Sequence, residues 1–83
     1  MFYKIKSVIP LDNMLLKIEF ENGIIKIYDV KKLKDRFKIF KDLENKALFE
    51  LAKVDAGGYG IMWNENIDLS CNEIWENGAI INE

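Results

Sequence analysis

Cys71 is the one thiol in the 83 residues, and it stands where a helix dipole could activate it. Ser70-Cys71-Asn72-Glu73 has the form of a capping box, in which the Ser side chain takes one orphan N–H and Glu73 reaches back to another. That reading puts Cys71 in the first turn of a helix. A thiolate nucleophile also needs a base, and the chain contains no His. The expectation is therefore a buried or merely tolerated cysteine. Asp68 and Glu73 could share general acid–base work, but a turn and a capping box give each an ordinary structural task. Gly57-Gly58-Tyr59-Gly60 has the glycine content of a phosphate loop without its spacing. No helix N-terminus follows it at once, so a tight turn between strands is the expected role. One Cys and no His exclude an intramolecular disulfide and a zinc site of ordinary ligand type. The sequence thus offers no catalytic set, metal site or cofactor site, and reads as a non-enzymatic protein.

Binding is the remaining class of function, and two groups of residues are candidates for it. Trp63-Asn64-Glu65-Asn66-Ile67-Asp68-Leu69-Ser70 links the last strand read from the sequence to the last helix. A Trp63–Asp68 hydrogen bond is expected to lock that loop. Tyr59, Trp63, Asp68 and Trp75 form the candidate partner-binding set, because aromatic side chains are the usual interface anchors; full burial of the Trp63 indole would remove it from that set. The second group is the run 31–41, KKLKDRFKIFK, where six cations face one Asp. Lys31, Lys32, Lys34, Arg36 and Lys38 make a candidate basic patch. Its ordinary reading is the solvated face of an amphipathic helix, and its sharper one a phosphate-contacting stripe. The net charge of −2 and a single Arg count against nucleic acid as the partner. Charge is also divided along the chain. Residues 1–53 hold all 12 Lys and Arg against 8 Asp and Glu, whereas residues 54–83 hold 6 acids and no base.

The elements that must position these residues follow from periodicity. Residues 14–21, MLLKIEFE, alternate, with Met14, Leu16, Ile18 and Phe20 on one face. Asn22-Gly23 then signals a two-residue type I′ hairpin. That turn would pair Glu21 with Ile24, Phe20 with Ile25, Glu19 with Lys26, Ile18 with Ile27 and Lys17 with Tyr28, making an ion pair of Glu19 and Lys26. Upstream, Tyr3 to Ile9 reads as an edge strand that Pro10 ends, and Leu11-Asp12-Asn13 turns the chain. Val30, Leu33, Phe37 and Phe40 recur at helical spacing, and a second helical stretch runs from about Leu43 to Leu51. Ala52-Lys53-Val54 and Gly60-Ile61-Met62-Trp63 read as short strands around the turn Asp55-Ala56-Gly57-Gly58. Asn64-Glu65-Asn66 is a further turn. The last helix, carrying Ile74 and Trp75, is expected to stop at Asn77-Gly78 with a left-handed terminator.

The result is one α+β domain over 1–83, a small two-layer unit of order β-β-β-α-β-β-α with a largely antiparallel sheet. A chain this short has a modest core, and its ten aromatics are a generous supply for it. If two or three of them face water, a homodimer is the expected remedy. No apolar run is long enough to span a bilayer, the N-terminus lacks a secretory core, and the lone thiol fits the cytoplasm.

Taken in order, Ser7-Val8-Ile9-Pro10, Phe20-Glu21-Asn22-Gly23, Asp29-Val30, Leu33, Leu43, Phe49, Val54-Asp55, Trp63 and Asp68-Leu69-Ser70 run over nearly the whole chain. In that order they resemble the bacterial domain-of-unknown-function family numbered 2442. The resemblance implies a small α+β fold without an assigned activity. Some members are similar to the N-terminal half of larger proteins that end in a helix-turn-helix; others are encoded beside another small protein, in an arrangement that looks like a toxin–antitoxin pair. The 83 residues contain no DNA-binding half, so direct action on DNA is not expected. The expected function is a protein-binding module, antitoxin-like, with another small protein as partner. The alternative is a small-molecule or nucleic-acid binder using the basic helix 31–41.

Overall fold

The computed structural model describes residues 2–81. The chain opens as an antiparallel meander of β1 (Ile5–Leu11), β2 (Leu15–Phe20) and β3 (Ile25–Asp29). β1 does not stop at Pro10: it runs one residue further, with Pro10 opposite Leu16. The strand lies at the edge of its sheet, where a missing N–H costs no ladder bond.

The hairpin turn is at Asn22-Gly23, but it closes differently from the two-residue form. Gly23 N–H donates to the Phe20 carbonyl and Phe20 N–H to the Ile24 carbonyl, both at 2.9 Å. The loop is therefore Glu21-Asn22-Gly23. A type I′ turn needs positive φ at two residues, whereas this loop asks it only of Gly23, at φ 89, where no Cβ is present to clash. Asn22 contributes instead through its side chain, whose Oδ1 accepts the Ile24 N–H at 3.0 Å.

One extra loop residue moves the register by one and turns β3 over. Leu16 pairs with Tyr28, Lys17 with Ile27, Ile18 with Lys26 and Glu19 with Ile25. None of the five pairs expected from a two-residue turn forms. Tyr28 and Lys26 face the core, while Ile25 and Ile27 lie half-buried on the outer face. Glu19 consequently meets Lys6 at 3.7 Å, not Lys26.

After β3 the chain forms α1 (Lys31–Lys34), a 3-10 segment over Lys38–Glu44, and α2 (Lys46–Phe49). The single helix expected over 30–40 is thus broken. The Leu33 carbonyl accepts N–H groups from both Arg36 and Phe37, at 3.1 and 2.9 Å, which closes the last turn. Phe37 is then extended (φ −136, ψ 111). Asn45 makes the second break and caps α2, its Oδ1 accepting Leu48 N–H at 3.3 Å.

The second half builds a separate antiparallel sheet in the order β4 (Lys53–Val54), β5 (Gly60–Asn64) and β6 (Ile67–Ser70). β6 occupies what reads from the sequence as a loop. The Asn64 side chain starts it, accepting the N–H groups of Asn66 and Ile67 at 2.9 and 3.0 Å. α3 (Cys71–Asn77) follows, and β7 (Ala79–Ile80) returns to pair with β3 as the fourth strand of the first sheet. The α+β class and the antiparallel pairing stand as read from the sequence; β6, β7 and the division into two sheets are additions. Both sheets, the helical connector and α3 supply one core, with Leu16, Phe20, Leu43, Ile61 and Ile74 among its members.

Candidate functional site

Between the helical connector and the β6–α3 junction lies an open cleft of about 350 Å³, at the small end of the roughly 300–1,000 Å³ typical of ligand sites. Leu33, Arg36, Phe37, Ile39 and Phe40 form one wall, and Asn66, Asp68, Leu69, Ser70 and Glu73 the other. The break in the connector creates the first wall. Leu33 and Phe40 keep their helical-face burial, but extended backbone at Phe37 turns its ring out of the core. Phe37 is 49% exposed and Ile39 39% exposed. The guanidinium of Arg36 lies 5.3 Å from the centroid of the Phe37 ring.

Strand alternation creates the second wall. Ile67 and Leu69 point into the core and Asp68 and Ser70 point out. Ser70 caps α3, its Oγ accepting Glu73 N–H at 3.1 Å. Only half of the expected capping box is present, because the Glu73 carboxylate goes elsewhere. Its Oε2 accepts the Tyr28 hydroxyl at 2.9 Å and the Asn77 amide at 2.8 Å. Burial, reinforced by that bond to Glu73, pushes the Tyr28 phenol well above its ordinary range.

The four candidate partner-binding residues go to different neighbourhoods. Trp63 is 4% exposed and therefore cannot touch a partner. Its indole N–H donates to the Phe49 carbonyl at 3.0 Å, not to Asp68, and its ring packs on Phe40 and Phe49. Its task is to fasten the connector to the second sheet. Trp75 stacks on Tyr3 at 3.8 Å and meets Phe20 edge-on at 5.0 Å. Tyr59 is exposed, edge-on to Phe2 with the Lys4 ammonium 5.1 Å from its ring. Asp68 alone of the four lines the cleft.

The basic patch is likewise dispersed by the broken helix. Lys31 pairs with Asp29 at 3.1 Å and donates to the Asn13 carbonyl. Lys34 pairs with Glu44 at 2.8 Å, and that hydrogen bond holds the Glu44 carboxyl below its usual range. Lys32 and Lys38 are exposed, and Arg36 belongs to the cleft.

Nucleophile and phosphate-loop chemistry find no support at the remaining candidates. Cys71 is buried, and desolvation raises its thiol, the reverse of activation. In the glycine turn, Tyr59 and Gly60 N–H groups donate to Asp55 Oδ1 at 2.9 and 3.1 Å, and Gly58 N–H donates to the Asp55 carbonyl. Donors already occupied by Asp55 cannot cradle a phosphate. Among the described residues, no three His, Cys, Asp or Glu side chains gather as metal ligands. Nor is any helix among them long and apolar enough to cross a membrane.

Gly78 ends α3, but not in the left-handed region that Asn77-Gly78 suggests: its backbone is extended (φ −79, ψ 151). The residue is needed for close approach instead. A Cβ there would lie 2.7 Å from the Ile74 carbonyl oxygen and 3.2 Å from Lys26 Cβ.

Phe37 and Ile39 are the site residues that sequence reasoning missed. Helical spacing assigned Phe37 to the core, and the break that exposes it leaves no Gly or Pro as a signal. The model of the family "Protein of unknown function (DUF2442)" matches residues 5–79. No curated protein and no solved structure matches the chain.

Proposed function

We propose that this chain, which belongs to the DUF2442 family of proteins of unknown function, is a non-enzymatic protein-binding module that holds a segment of another polypeptide in the cleft. One observation carries this reading: an aromatic and an aliphatic side chain, Phe37 and Ile39, stand exposed at the rim of a cleft floored by Leu33, Phe40 and Leu69. Exposed apolar side chains beside a concave apolar floor are the composition of an interface anchor point. In its antitoxin-like form the partner is a small toxic protein encoded beside this one, and the lone buried thiol suits a shared cytoplasmic location.

Co-expression with each neighbouring gene product, followed by size-exclusion chromatography, tests the reading. One of them is expected to elute with the native domain and to separate from a Phe37→Ser variant of unchanged circular dichroism. In the antitoxin-like form, the native domain but not Phe37→Ser restores growth to cells expressing that partner. A partner retained equally by the variant would remove the cleft from the account.

A second reading, a homodimer, is favoured by the outer face of the first sheet. Ile9 and Leu11 are exposed there, in line with half-buried Leu15 and Ile27 across the register. Light scattering distinguishes the two, because a dimer doubles the solution mass without any partner.

A further inference from the structure

The polar groups of the cleft are not equally occupied. Glu73 accepts from Tyr28 and Asn77 through one carboxylate oxygen, which fixes its position and leaves its negative charge on the same wall as Asp68. Arg36 has no ion pair among the described residues; its guanidinium lies against the Phe37 ring, which orients it without using its N–H donors. The carboxylate of Asp68, exposed on the facing wall, has neither hydrogen bond nor ion pair among the described residues. Among the described residues the cleft therefore offers a cation without an ion pair on one wall, two carboxylates on the other, of which that of Asp68 is free to accept, and an apolar floor between them.

We infer that the cleft recognises a linear peptide segment in which one apolar side chain is flanked by an acidic residue on one side and a basic residue on the other. The inference rests on the peptide-holding reading above and adds the chemistry of the occupant. The apolar side chain seats on the floor beside Phe37 and Leu69. The acidic flank meets Arg36, whose planar fork matches a carboxylate bidentately, and the basic flank meets Asp68. A segment with two acidic flanks brings a carboxylate to Asp68, and one with two basic flanks brings an ammonium to Arg36. Both arrangements are repelled. The opposite signs on the two walls thus select a mixed pair of flanks, whichever way the segment runs.

A display library of random linear heptapeptides tests this and needs no identified natural partner. The full chain is panned, and binders also retained by Phe37→Ser are subtracted. The peptides that remain are expected to carry an apolar residue with one acid and one base around it. Arg36→Glu makes both walls acidic and should shift the selection to two basic flanks. Asp68→Lys exchanges the accessible carboxylate of the second wall for an ammonium beside Glu73 and should shift it toward two acidic flanks. The double variant Arg36→Glu/Asp68→Lys should restore mixed flanks. If peptides are enriched on the apolar residue alone, or their charges do not follow the reversals, the inference is overturned while the cleft reading stands. If nothing is enriched beyond Phe37→Ser, both fall.

Discussion

Of the three cations that lie over aromatic rings among the described residues, Lys26 and Arg36 differ most, and the difference between them separates a fastening from a binding site. Lys26 is 6% exposed; its ammonium lies 4.1 Å from the Trp75 ring and donates to the Trp75 carbonyl. That carbonyl is one of the orphan acceptors at the end of α3, where a cation also complements the helix dipole. The ring is covered in turn by Tyr3 and Phe20. Arg36 over Phe37 has the same pairing of types, but both partners are exposed. In the first cluster every member is engaged, and its removal should cost stability. In the second, what is left unpaired should cost little to remove from the fold and much to remove from a complex.

The largest loss of stability is expected from Lys26→Ala, which deletes the ammonium and strands the Trp75 carbonyl. A loss of about 3 kcal/mol is expected from the unsatisfied acceptor together with the lost ring contact, read as a lower midpoint in urea unfolding. Gly78→Ala attacks the same cluster from the backbone, driving a Cβ to 2.7 Å from the Ile74 carbonyl oxygen. It should cost about 2 kcal/mol by overpacking in the same measurement.

Tyr28→Phe removes the hydroxyl bond to Glu73 and should cost about 1 kcal/mol near neutral pH. Its more telling effect is on pH dependence. The phenol is raised in the folded state, so folding disfavours the ionised form. The stability it contributes is whole below the ordinary phenol value of about 10 and declines as pH climbs above it. Urea midpoints at about pH 8 and pH 11 should therefore converge more closely in Tyr28→Phe than in the native chain. Smallest for the fold is Arg36→Ala, expected within about 0.5 kcal/mol of the native chain. The same substitution should weaken a library-selected peptide about fivefold or more in calorimetric titration.

The same contrast explains what was legible in the sequence. Period-2 alternation located β2 and its inward face, because half-burial imposes that pattern directly. It could not supply the register, since Asn-Gly serves both a two-residue and a three-residue loop. The inward placement of Lys26 depended on that one residue. A lysine facing a core is intelligible only once the Trp75 carbonyl and ring are known to meet it from 49 residues away. β6 was hidden because four residues begun by an Asn side chain resemble a loop. In the cleft, Arg36 and Asp68 were both visible as candidates, but in separate sets. Their assignment to facing walls follows from the connector break at Phe37, which is set by tertiary packing and has no local signal.

The most direct test is an amide-resonance map of the domain titrated with a library-selected peptide. Shifts are expected to concentrate at residues 33–40 and 66–70, with the signals around Lys26 and Trp75 unmoved. Shifts centred on Ile9, Leu11 and Ile27, or on the Trp75 cluster, would contradict the cleft reading.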